Sequence, residues 1–148
     1  MADDGIIESR PQFERLLAGR ALQGRQVRSV AMSRGTWHGA SLTEVSFERC
    51  ALDGIDTDAC EFLQSTWHQV DLRQARLADV YAVRCQWRLC DATELALAQA
   101  LLVDCEFDES RLSKASFDGA TLRRGRFARS ELASATFRGA RLIQTTFV

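Results

Sequence analysis

Large apolar residues recur at every fifth position from Met32 to Phe147. All three tryptophans and all but one of the eight phenylalanines lie in this column of positions. A second column, two residues before the first, contains mainly small residues such as alanine, cysteine, serine and glycine. Neither column contains a charged residue, although charged residues make up 26% of the chain. The pattern therefore marks two inward-facing positions in every repeat of five residues.

A period of five residues matches neither of the common secondary structures. An α-helix repeats every 3.6 residues and a strand every two, so neither stays in register with this pattern. A chain that turns a corner every five residues does stay in register, and the corner explains the small column, because a side chain there has little room. Thr57 and Ala82 are small occupants of the large column. We therefore expect distortion near residues 56–59 and 82–97.

The order of residues within each repeat is small, polar, large apolar and then two variable positions. This order resembles the consensus of the pentapeptide-repeat family, A(D/N)LXX, over about residues 30–148 without an insertion. Two of the best matches are Ala115-Ser116-Phe117-Asp118-Gly119 and Ala120-Thr121-Leu122-Arg123-Arg124. The resemblance implies an all-β fold, a right-handed quadrilateral β-helix of about six coils with four pentapeptides in each coil. Residues twenty apart would then stack in ladders, such as Phe47, Trp67, Trp87 and Phe107.

The chain divides into an N-terminal segment, residues 1–29, and the predicted β-helix, residues 30–148. The boundary is placed there because continuing the repeat toward the N-terminus would put Arg20 and Arg25 in the small inward column. Burying an unpaired guanidinium is energetically costly. A different element is therefore expected to begin the chain.

Residues 9–19 predict a short α-helix. Ser9 and Gln12 fit a capping box at its start. Phe13 and Leu17 lie on one face of this helix, and we expect that face to cover the N-terminal end of the solenoid, as capping elements of repeat proteins do.

The cysteines suggest a structural role, because all of them lie in the small inward column, where a small apolar residue is needed. They are Cys50, Cys60, Cys85, Cys90 and Cys105. Cys85 and Cys105 would lie one coil apart, but a cytoplasmic protein would keep them reduced. The histidines, His38 and His68, fall on different sides of the coil. We predict no catalytic residue, no metal site and no cofactor, and a coil without inserted loops has no obvious cleft for an enzyme.

Outward apolar residues are the informative surface positions, because outward positions of the repeat should be polar. They form a stripe along one side of the predicted solenoid, interrupted by Arg123. The stripe consists of Leu63, Tyr81, Val83, Leu101, Val103 and Ile143. We predict that it is a dimer or partner surface; alternatively, these side chains pack only against neighbouring strands or under the helix.

The C-terminal coil is a second candidate for a partner surface. The sequence ends on Phe147 and Val148 in the middle of the repeat pattern, with no predicted helix to cover the last coil. An open coil exposes unpaired backbone groups. We therefore expect end-to-end self-association, giving a homodimer, or docking of another protein there.

Charge and hydropathy narrow the class of function. The net charge is −1, no apolar run is long enough to cross a bilayer, and the first residues are acidic where a signal peptide is basic. We expect a cytoplasmic protein with neither a nucleic acid nor a membrane as partner, although bases cluster at Arg123, Arg124, Arg126 and Arg129. The resemblance implies a non-enzymatic interaction scaffold or adaptor of a bacterium, such as an accessory of a secretion system, with a protein partner. The alternative is a DNA-mimicking inhibitor or protector of DNA gyrase, which is usually long and strongly negative.

Overall fold

Parallel strands pair in register with the strands one coil away along the whole chain. The structure, a computed structural model, describes residues 5–148, so the acidic residues 1–4 lie outside it. Tyr81 pairs with Leu101 and Trp87 with Phe107, a spacing of twenty residues or four pentapeptides. The chain is a parallel β-solenoid of about seven turns, one more than the six expected. The predicted fold class is confirmed.

The solenoid has four walls, named in the order in which the chain meets them from residue 21 onward. Wall A is a seven-stranded sheet of β2 (Ala21–Gln23), β5 (Ser41–Thr43), β8 (Glu61–Leu63), β10 (Tyr81–Val83), β12 (Leu101–Val103), β14 (Thr121–Arg123) and β16 (Arg141–Ile143). Wall B is an eight-stranded sheet of β1 (Ile6–Ile7), β3 (Gln26–Arg28), β6 (Ser46–Glu48), β9 (Thr66–His68), β11 (Gln86–Arg88), β13 (Glu106–Asp108), β15 (Arg126–Ala128) and β17 (Thr146–Phe147).

Walls C and D are built mainly from turns. Wall C is joined by single bridges at Ala31, Ala51, Asp71, Asp91, Arg111 and Glu131. Wall D begins with β4 (Thr36–His38) and β7 (Asp56–Asp58) and continues as bridges at Arg76, Ala96, Ser116 and Thr136. In these walls a hydrogen bond closes each turn, as where the N–H of Ala75 donates to the carbonyl of Leu72 at 3.1 Å.

Every corner uses a left-handed backbone conformation. From Gly24 to Gln144, the residue two places after each large apolar position has a positive φ, and most of these residues are not glycine. Leu89, for example, has φ 55°. A non-glycine residue in this region costs roughly 1–2 kcal/mol. The coil therefore turns often with few glycines, because packing and ladder hydrogen bonds offset the cost at each corner.

Stacked aromatic rings form the centre of the core. The ring of Trp87 lies 4.7 Å from that of Trp67 and 4.6 Å from that of Phe107, and both pairs are nearly parallel. The expected distortions are absent. Thr57 pairs in register with Trp37 and donates its hydroxyl to a backbone carbonyl, while Ala82 pairs in register on both sides. A small side chain in one coil therefore leaves the register of the ladder unchanged.

The helix α1 (Arg10–Ala18) covers the N-terminal coil, as predicted. Ser9 Oγ accepts a hydrogen bond from the Gln12 N–H at 3.3 Å, while Gln12 Oε1 accepts from the N–H of Glu8, one residue earlier than in a capping box. Phe13 is fully buried and packs edge-to-face on Trp37, with ring centroids 5.4 Å apart. The helix thus supplies the side chain that closes the aromatic core.

Regular coils begin before residue 30, because β2 and β3 pair with β5 and β6. Arg20 is exposed at the end of α1, and Arg25 is half-buried. The first coil therefore accommodates both arginines without placing either fully inside.

Candidate interaction surface

The predicted apolar stripe lies on wall A. Leu63, Val83 and Val103 are direct neighbours in one row of the sheet, and Tyr81 and Leu101 are neighbours in the parallel row. Arg123 lies between Val103 and Ile143, so Ile143 is separated from the other five. We call the contiguous five residues, Leu63, Tyr81, Val83, Leu101 and Val103, the wall A patch.

The two rows of the wall A patch differ in exposure. Tyr81 and Leu101 are 40% and 37% exposed, whereas the row of Leu63, Val83 and Val103 is half-buried. The aliphatic row therefore packs partly against its own neighbours, as the alternative interpretation had it. Tyr81 and Leu101 are therefore the most exposed side chains of the wall A patch.

Charged residues flank the wall A patch at the corner that follows it. Asp104 accepts two hydrogen bonds from the guanidinium of Arg124, at 2.7 and 3.1 Å. These bonds hold the pKa of the Asp104 carboxyl below its ordinary value. Arg84, one coil earlier in the same row, is exposed. Its charge also helps to lower the pKa of Asp104, but it forms no direct ion pair with a described residue. The patch thus has one unpaired cation and one carboxylate at its edge.

The predicted basic cluster is largely neutralised by acids one coil away. Besides the pair of Arg124 with Asp104, Arg126 lies 2.9 Å from Glu106 and Arg129 lies 2.6 Å from Asp108. The ion pair between Arg126 and Glu106 could have been predicted from the sequence, because the two residues are twenty positions, or one coil, apart. Three of the four arginines of this cluster are therefore paired, whereas Arg123 forms no ion pair with a described residue.

The C-terminal coil exposes apolar side chains in this structure. Phe147 is 50% exposed and stacks on Phe127 at 4.9 Å, and Leu142 and Val148 are also exposed. Ile143 adjoins this group on wall A. We call Leu142, Ile143, Phe147 and Val148 the C-terminal coil surface.

One cavity of about 310 Å³ lies between α1 and wall D. Its lining includes Glu14, Arg20, Trp37 and His38. The indole N–H of Trp37 is buried without a hydrogen-bond partner among the described residues. His38 Nδ1 lies 3.7 Å from a carboxylate oxygen of Asp58, so the imidazole lies beside an exposed carboxylate at the edge of the cavity. The lining contains no serine or cysteine nucleophile next to a base.

All five cysteines are buried and free, and no group of three or more possible metal ligands occurs within residues 5–148. Each thiol tethers a corner; Cys90 Sγ, for example, donates to the carbonyls of Trp67 and Arg88, both at 3.4 Å. Ser65 and Ser110 make the same bonds at equivalent corners. Burial raises the pKa of the Cys90 thiol to about 11. The small column therefore supplies hydrogen-bond donors as well as small volume.

Comparison with known proteins identifies the repeat. A family model described as a pentapeptide repeat region matches residues 60–137. QnrB1, described as a plasmid-mediated fluoroquinolone resistance protein, is a similar solved structure with 16% identity and a TM-score of 0.51, covering 95% of this chain and 72% of its own. The pentapeptide repeat protein Rfr23 from the cyanobacterium Cyanothece has 16% identity and a TM-score of 0.41, covering 92% and 97%. No curated protein matches significantly. At this identity, the likeness to QnrB1 shows the fold alone.

The described part of the chain has one helix, α1, and it is too short to span a bilayer.

Proposed function

Because the chain belongs to the pentapeptide-repeat family, we propose that it is a non-enzymatic protein interaction module that binds its partner through the wall A patch. Pentapeptide-repeat proteins are generally non-enzymatic scaffolds. The observation that carries the proposal is the exposure of Tyr81 and Leu101 side by side, next to the apolar row of Leu63, Val83 and Val103.

The rigidity of wall A supports this role. Its seven strands are hydrogen-bonded in one continuous parallel sheet, and the central side chains behind it are buried from Leu22 to Leu122. A partner would therefore meet a surface that needs no ordering on binding, which reduces the entropic cost of association. Arg84 and Asp104 at its edge add electrostatic selectivity.

A pull-down from the native cell tests the proposal. The variant Val83→Glu/Val103→Glu places two charges in the wall A patch, and the matched control Ala78→Glu/Ala98→Glu places them at the equivalent half-buried positions of wall D. We expect a specific partner to be lost with the first variant and kept with the control, both variants giving a wild-type circular dichroism spectrum. If the wall A variant keeps every partner, the patch is not the binding site. The identity of the captured partner also tests the proposed setting, a bacterial adaptor that serves, for example, a secretion system.

The C-terminal coil surface is proposed as a second contact region, for a homodimer or another protein. Phe147→Glu places a charge on its most exposed aromatic ring. A protein that is monomeric at high concentration, both as wild type and as this variant, would exclude self-association through this end.

A DNA-mimicking inhibitor or protector of gyrase is the alternative function. A mimic of the DNA backbone needs a continuous run of negative charge. On wall B, however, Glu106 and Asp108 are each paired with an arginine of the next coil. A supercoiling assay with purified gyrase tests this alternative, and inhibition or protection at micromolar protein would favour it over the adaptor role.

A further inference from the structure

We propose that the wall A patch binds a second copy of this chain, with the two rods antiparallel and a two-fold axis between β10 and β12. This inference rests on the proposed function, because it names the occupant of the same surface. Its basis is the arrangement of apolar and charged side chains along wall A, which is complementary to itself in one register.

The complementary register follows from the positions on the sheet. A two-fold axis that runs parallel to the strands, midway between β10 and β12, places each residue of β10 opposite its register partner in β12 of the second copy. Tyr81 then faces Leu101 of the second copy, and Val83 faces Val103. Arg84 and Asp104, which follow these strands at the same corner, also face each other. Each of these contacts occurs twice in the dimer.

Other registers bring like charges together or place a charge against an apolar residue. An axis through β10 would place Arg84 against Arg84 of the second copy, and an axis through β12 would place Asp104 against Asp104. Parallel rods would place Glu61 against Leu63 of the second copy. Like charges in contact across an interface cost several kcal/mol. An axis between β12 and β14 would also pair opposite charges, Asp104 with Arg124, but it would place Tyr81 against Arg141. The apolar pairs and the edge charges are matched together only in the antiparallel register centred between β10 and β12.

The two charged residues are available for this contact. Arg84 is exposed and forms no direct ion pair within residues 5–148, although its charge already acts on Asp104 of its own chain. Asp104 is bonded to Arg124, but an ionised carboxylate has about four acceptor sites, so it accepts further donors. At the neighbouring positions Glu61 faces Thr121 and Leu63 faces Arg123 of the second copy, so no like charges meet there.

The size of wall A predicts a weak dimer. Seven strands at about 4.8 Å each make the wall roughly 30 Å long, and five residues per side at about 3.3 Å make it roughly 15 Å wide. The face therefore buries roughly 450 Å² per copy, below the roughly 800 Å² per partner of a standard interface. We expect a dissociation constant on the order of 100 μM.

Charge reversal tests the register directly. Arg84→Glu would place a glutamate against Asp104 at both contacts of the dimer, and Asp104→Arg would place a second arginine against Arg84 at both. Each variant alone should therefore dimerise at least tenfold more weakly. In an equimolar mixture of the two, the heterodimer pairs opposite charges at both contacts.

Sedimentation velocity up to millimolar protein measures these differences. It should show weak association of each variant alone and stronger association, approaching that of the wild type, in the mixture. The control, Arg49→Glu, changes an exposed arginine at the equivalent corner of wall B and should associate as the wild type does.

The outcomes separate this inference from the proposed function. A wild type that is monomeric at millimolar concentration overturns the inference, yet the proposed function survives if Val83→Glu/Val103→Glu still loses another partner in the pull-down. A dimer that neither charge reversal weakens, or that only Phe147→Glu abolishes, forms through another surface and also overturns it. Restored association in the mixture supports the inference even if no other partner is found.

Discussion

The stacked aromatic ladder predicts that the cost of removing a ring depends on its place along the solenoid. Trp87 is fully buried between Trp67 and Phe107, and Phe147 is half-exposed with one stacked neighbour one coil away, Phe127. Trp87→Ala and Phe147→Ala therefore remove rings of the same ladder in two different environments. Because both rings occupy the same position in the repeat, a difference between the two variants in the free energy of unfolding reflects burial and stacking.

The expected costs follow from area and stacking. Burying a large aromatic side chain removes about 200 Å² from water, worth about 5 kcal/mol at 25 cal/mol per Å². The two stacked contacts of Trp87 add about 1 kcal/mol each. Allowing for the methyl group that remains, we expect Trp87→Ala to cost about 5 kcal/mol and Phe147→Ala about 2 kcal/mol. The first value approaches the whole stability of many domains, so Trp87→Phe, which keeps the stack, serves as a milder variant with a cost of about 1–2 kcal/mol.

Urea unfolding followed by far-ultraviolet circular dichroism measures these differences, because the signal does not depend on the tryptophan that is removed. The dependence of the unfolding free energy on urea should stay constant, which shows that each variant unfolds as the same cooperative unit. If Phe147→Ala costs as much as Trp87→Ala, the ladder is not the source of stability that the structure indicates.

Two further predictions concern the corners. Since burial raises the pKa of the Cys90 thiol from 9.0 to about 11, its stabilising effect is present below pH 9 and is lost as pH rises toward 11. Urea unfolding at pH 8 and about pH 10.5 should show a loss of about 2 kcal/mol from this thiol, and Cys90→Ser should reduce the loss; an equal loss in Cys90→Ser would contradict the assignment. Leu89→Asn should raise the unfolding free energy by about 1 kcal/mol, because asparagine tolerates the left-handed conformation that Leu89 adopts. The same change at Leu101, which is similarly exposed but has no positive φ, should give no gain in thermal unfolding.

The candidate surface was only partly predictable from the sequence. The spacing of twenty residues placed Val83 beside Val103 and Tyr81 beside Leu101 once four repeats per coil were assumed, and the structure agrees. The difference in exposure between the two rows was not predictable, because it depends on how each side chain leans against the neighbouring strand. The same spacing aligned Arg124 with Asp104, but the hydrogen bonds between them needed the geometry of the corner.

The sequence by itself determined the inward half of this protein. Every repeat must present apolar side chains to the core. Each inward position can therefore be recognised from its own repeat, and the two columns without charge predict the coil, the buried cysteines and the aromatic ladder. Outward positions accept almost any polar residue, so the pattern there carries little information. Only the tertiary structure decided that the coils begin before residue 30, that the corners are left-handed at residues such as Leu89, and how Arg124, Arg126 and Arg129 bond to their acids. These features depend on which residues stacking brings together and on the packing energy that offsets strained corners, and neither is a property of one position in the chain.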